Sequence, residues 1–135
     1  MILNLLLKTG GVLLLVLAAA HVFFPRRFGW KEDLAKLSLL NRQIFQVHCF
    51  FIVLVLVGFG LLNLFLTDQL LGSNLLAKSL LVGMAVFWFC RLIVQLFVYD
   101  SLLWKGNPMR TTFHALFVLF WSFLVVLYCV AFLQS

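Results

Sequence analysis

Apolar positions along this chain gather into four long, nearly unbroken runs, at about 2–24, 43–67, 74–99 and 111–134. Each run reaches the length of roughly 20 helical residues needed to cross a hydrocarbon core about 30 Å thick. Lipid offers no hydrogen bonds, so a spanning segment must satisfy its backbone internally as a helix or within a closed barrel. These runs lack the two-residue alternation of barrel strands, and the pattern therefore predicts helices. The polar positions fall in three breaks, Pro25 to Arg42, Thr67 to Ser73 and Asp100 to Arg110. The predicted fold is an all-α integral membrane protein: a four-transmembrane-helix antiparallel bundle, with a short interfacial helix between spans one and two. Residues 1–135 form a single membrane domain in this reading.

Local punctuation refines these elements. Pro25, at the change from Val22-Phe23-Phe24 to Arg26-Arg27, is expected to stop span one, because proline lacks the amide a helix interior needs. Between Trp30 and Asn41, Leu34, Leu37 and Leu40 recur at helical spacing among Lys31, Glu32, Asp33 and Lys36, the pattern of a short helix lying at the membrane surface. Trp30 suits the headgroup layer, where one edge of the ring is wet. Gly72-Ser73-Asn74 predicts a tight hairpin connection, and Asn107-Pro108 a second turn, with Thr111 or Thr112 capping span four. Gly10-Gly11, Gly58-x-Gly60 and Gly83 permit close helix approach, but none makes a GxxxG dimer motif. The run Leu13 to Leu17 followed by Ala18-Ala19-Ala20 resembles a cleavable leader, yet Lys8 interrupts the apolar stretch instead of preceding it. The expectation is a retained span.

Composition supports the same class: 65% of residues are hydrophobic, 10% are charged and the mean hydropathy is +1.17. A formal charge of +6 would suit nucleic acid, but its distribution suits a bilayer. Arg26, Arg27, Lys31, Lys36, Arg42, Lys105 and Arg110 all flank one membrane face, and only Lys8 and Lys78 approach the other. The positive-inside rule makes the rich side cytoplasmic and both termini external, in a bacterial-type inner membrane or a plasma membrane, with no nucleic-acid partner. Cys49, Cys90 and Cys129 are odd in number and form no CxxC, which argues against a disulfide framework and leaves small packing residues or a thiolate ligand.

The candidate chemistry lies at the positively flanked face. His21 ends the first run, His48 begins the second, Arg91, Gln95 and Tyr99 line the end of the third, and His114 begins the fourth. Antiparallel spans would bring these ends to one level. Arg91, Gln95 and Tyr99 recur every four residues, which draws one helical stripe, and Trp88 extends it downward. A cation near the bilayer centre carries an apparent insertion cost of roughly 2.5–3.5 kcal/mol, so the stripe should face inward. No carboxylate lies near Arg91 within any span, and Asp100 is nine positions away on the opposite helical face. The guanidinium then meets only Gln95, Tyr99, carbonyls and water, or an anionic group supplied from outside, such as a propionate, a phosphate or a lipid headgroup.

Three imidazoles at one level form a candidate transition-metal site, His21, His48 and His114, for zinc, copper or non-haem iron. Two of them could instead ligate haem, with Arg91 or Arg42 against its propionates. Asn41 and Arg42 either orient these ligands or simply hold the span among phosphates, whereas Gln43 is read as a cap of span two. The alternative is a purely structural polar packing seam. Phe87, Trp88, Phe89, Phe117, Phe120 and Trp121 could enclose a planar group or merely fill space. A phosphate-binding glycine loop and a hydrolase motif are missing, and the acids Glu32, Asp33, Asp68 and Asp100 are too few for a carboxylate di-iron centre. The leading expectation is a small membrane protein that binds a metal, haem or anionic small molecule at this cluster, with membrane oxidoreductase chemistry in view. The alternatives are a transport component, or an accessory subunit, with a second copy or a membrane complex as partner.

Overall fold

The computed structural model describes all 135 residues and contains helices, turns and no strand. Four helices are long and apolar enough to cross a membrane: Ile2–Ala20 (α1), Leu39–Phe65 (α4), Leu75–Val98 and Pro108–Gln134 (α7). Between α1 and α4 lie two short helices, Phe24–Arg27 (α2) and Trp30–Ala35 (α3). A further short helix, Thr67–Leu70 (α5), precedes the third span, which runs as α-helix over Leu75–Ile93 (α6) and then as a π-helical turn over Val94–Val98. Apolar side chains such as Val16, Phe51, Phe89 and Leu119 stand exposed along all four long helices, as lipid contact requires.

The chain divides into two compact units, Leu5–Thr67 and a second made of Met1–Asn4 with Asp68–Ser135. In the first unit, α1 and α4 run antiparallel and approach through glycine. A Cβ on Gly11 would lie 2.8 Å from the Gly60 carbonyl oxygen, and one on Gly60 would lie 2.8 Å from Leu15 side-chain carbons. These two positions exploit the missing side chain. Gly58 and Gly83 meet nothing within 4 Å and do not. In the second unit, α6 and α7 run antiparallel, with Leu81, Met84 and Trp88 of α6 and Trp121, Leu124, Leu127, Tyr128 and Ala131 of α7 buried. The Trp88 and Trp121 rings stack at 5.0 Å and 8°.

Several boundaries differ from the sequence expectation. Span one stops at Ala20, short of Pro25, with Val22 and Phe23 closing tight turns onto the Ala19 and Ala20 carbonyls. Pro25 instead sits in the first turn of α2, where its absent amide costs nothing. The surface helix ends at Ala35 and does not reach Asn41, because the Ser38 side chain accepts from the Asn41 amide and starts α4 there. Leu40, Asn41 and Arg42 accordingly belong to span two, and Ser38, not Gln43, is its cap. The cap of α7 is Asn107, which accepts from the Arg110 amide at 3.1 Å. The Thr111 hydroxyl donates back to the Asn107 and Trp104 carbonyls and the Thr112 hydroxyl to the Pro108 carbonyl, so neither caps an amide. Asn74 caps α6 in the same manner as Ser38 caps α4, accepting from the Ala77 amide at 2.9 Å.

Candidate functional site

The end of the third span is where the polar residues meet. A π-helical turn carries one residue more per hydrogen-bonded ring than an α-helical turn, and such turns recur at functional sites. Here it spans Val94–Val98 and contains Gln95, which is 5% exposed. A buried amide must find partners. Gln95 has two: Arg91 Nη1 donates to its Oε1 at 3.4 Å, and its Nε2 donates to His114 Nδ1 at 2.8 Å. With the amide oxygen turned to the cation, its NH2 group faces the imidazole, so Nδ1 of His114 is the acceptor and the neutral ring carries its proton on Nε2.

Two further rings complete the surroundings. Trp104, in the loop after the third span, stacks on His114 with 3.9 Å between centroids and 19° between planes. The loop is held by α7: Thr111 Oγ1 donates to the Trp104 carbonyl at 3.0 Å, and Arg110 Nη1 to the Leu103 carbonyl at 3.3 Å. Arg91 lies over two aromatic faces, with its guanidinium carbon 5.1 Å from the Trp121 ring and 5.6 Å from the Tyr99 ring. The ring quadrupoles attract the cation, a contribution of about 0.5–2 kcal/mol depending on desolvation. A ring face supplies no acceptor oxygen. The hydrogen bond to Gln95 is the one Arg91 makes within the chain, and it forms no ion pair. The single ion pair of the protein is Lys36 with Asp33, at 3.1 Å on an exposed stretch.

The expected stripe is thus partly redrawn. Arg91 and Gln95 keep helical neighbourhood, but the helix ends at Val98 and Tyr99 has an extended backbone, φ −73° and ψ 126°. Tyr99 reaches Arg91 with its ring face because the chain turns there, and not as a third step up a helix. His114 joins Arg91 and Gln95 as the topology of the α6–α7 pair requires. Trp104 was outside the sequence reading, because a loop aromatic has no periodicity to betray it; its signal is only its place ten residues before His114.

The other candidates lie in the Leu5–Thr67 unit. His21 donates from Nδ1 to the Leu17 carbonyl at 2.8 Å, and its ring lies 4.6 Å from that of Phe24. His48 is exposed and donates from Nδ1 to the Ile44 carbonyl at 2.7 Å. Each of these imidazoles bonds the carbonyl four residues before it. Asn41 and Arg42 occupy the first turn of α4, their amides taken by the Ser38 side chain and carbonyl. No group of three or more His, Cys, Asp or Glu side chains is arranged to hold a metal ion, and the three cysteines are free thiols.

No protein family matches this chain, and neither does a curated protein or a solved structure. The chemistry of the site is the remaining guide. It offers a guanidinium with spare donors and an imidazole N–H, against aromatic walls and no acid.

Proposed function

We propose that this membrane protein binds an anionic small molecule or lipid headgroup through Arg91, with Gln95 and His114 fixing the geometry of the binding end. The observation that carries this reading is the state of Arg91: an intramembrane guanidinium, over two rings, with one hydrogen bond and no carboxylate. A charge in a low-dielectric setting needs a counter-charge, and guanidinium recognises carboxylate or phosphate through paired N–H donors. Gln95 spends its acceptor on Arg91 and its donor on His114, which supports the anion form of the reading over one in which His114 offers a lone pair to a metal or a haem iron. The basic residues Arg26, Arg27, Lys31, Lys36, Arg42, Lys105 and Arg110 support a cytoplasmic-leaflet position for these span ends, and Lys105 and Arg110, in the same unit as Arg91, would attract anions.

The test is equilibrium binding to the full chain in phosphatidylcholine nanodiscs, with laurate, dodecyl phosphate and dodecanol as probes of equal tail length. The two anions bind and dodecanol does not, and the stronger anion identifies the class. Arg91→Gln weakens anion binding at least tenfold, about 1.4 kcal/mol. Arg91→Lys keeps part of the affinity, since it retains charge without the planar fork. Laurate and dodecyl phosphate binding that is unchanged in Arg91→Gln refutes the reading.

A further inference from the structure

The Leu5–Thr67 unit holds an open apolar pocket of about 230 Å³ that the Arg91 site does not use. Its walls are Ala18, Val22, Pro25, Trp30, Phe50 and Val53, with His21 and Cys49 beside them. An apolar cavity of about 150 Å³ is enough to take benzene, so this one accommodates a single six-membered ring with small substituents. The lining is almost entirely apolar, which disfavours a hydrated ion. Trp30 forms a fixed flat wall, its ring set edge-on to Phe45 at 5.0 Å and 82°. Val22 and Phe50 are exposed, which leaves the pocket a route in from outside.

His21 sets the polarity of the ligand. Its Nδ1–H is committed to the Leu17 carbonyl at 2.8 Å, so the neutral ring has its lone pair on Nε2 and can accept but not donate. We propose that this cavity binds the aryl-alcohol head of a lipid-soluble molecule, a single phenol-type ring whose hydroxyl donates to His21 Nε2 while Trp30 and Phe50 flank its faces. The ligand is neutral and its tail leaves toward lipid, unlike the anion proposed for Arg91.

Cys49 lines the cavity and reports its occupancy. In a full chain carrying Cys90→Ser and Cys129→Ser, both exposed positions, Cys49 is the one thiol, and its alkylation by N-ethylmaleimide in liposomes is followed by mass. 4-Octylphenol slows the reaction at least fivefold, whereas octylbenzene and octanol slow it less than twofold. His21→Phe, which keeps an aromatic ring and removes the acceptor, brings the phenol down to the octylbenzene value. Equal slowing by 4-octylphenol and octylbenzene, no slowing by either, or a phenol effect that survives His21→Phe each overturns the proposal. The comparison of phenol with octylbenzene on the chain that retains His21 stands even where the histidine variant fails to fold. Arg91→Gln leaves the phenol effect intact, which separates this site from the anion site.

Discussion

Arg91 and Gln95 are coupled because each solves the other's difficulty. The guanidinium needs an acceptor in a low-dielectric setting, and the buried amide needs partners on both ends, which Arg91 and His114 provide. Gln95→Leu keeps the volume but leaves a donor on Arg91 and an acceptor on His114 without their partner. The expected cost is about 1–3 kcal/mol of stability, with anion affinity reduced alongside it. Unfolding in a denaturing detergent, compared with laurate binding, reads both. A fully native stability in Gln95→Leu would show that the bonds carry no net energy. His114→Phe keeps a ring to stack on Trp104, whose centroid lies 3.9 Å away, and removes the imidazole nitrogens, the acceptor for Gln95 among them. At this scale the residue types were legible from the chain, because an arginine and a glutamine four apart in an apolar run stand out. Their partners were less so. The roles of Tyr99 and Trp121 as ring faces over a cation depend on where a turn and a neighbouring helix direct them.

The long helices were readable because length and hydropathy alone decide whether a segment can span a bilayer. Their ends were not, because a single side-chain bond moves an end by several residues. Ser38 and Asn107 are the clearest cases. Asn107→Ala removes the acceptor of the Arg110 amide and is expected to cost about 1 kcal/mol and to loosen the loop bearing Trp104, visible as faster amide exchange at Thr111. Glycine likewise needs its surroundings to be interpreted. Gly11→Ala would push a Cβ to within 2.8 Å of the Gly60 carbonyl, which helix backbone cannot yield cheaply, and an overpacking cost of about 1–3 kcal/mol follows. Gly58→Ala meets nothing within 4 Å and gains helix propensity, so it is neutral or stabilising by up to about 1 kcal/mol. Thermal unfolding of the pair in one detergent checks the contrast, and equal effects would contradict the close approach of α1 and α4.

For the whole molecule, charge distribution makes an orientation testable. If the basic face is cytoplasmic, Lys105→Cys in a chain without its native thiols reacts with a membrane-impermeant maleimide only after cells are permeabilised, while Lys78→Cys reacts in intact cells. The reverse pattern would place the Arg91 end outside and remove the leaflet argument for its anions. The sequence by itself determined the class: an all-α chain with four spanning helices, because apolar run length is a one-dimensional property and lipid admits no other economical backbone. It also singled out Arg91 as a cation with no acid beside it. Only the tertiary structure decided that Gln95 bridges Arg91 to His114, that Trp104 covers His114, and that His21 opens onto an apolar cavity with Cys49. Those contacts depend on side-chain direction, helix ends and a π-helical turn. Beyond the Arg91–Gln95 spacing, periodicity does not carry them, since each depends on which neighbour is present to complete a hydrogen bond or fill a space.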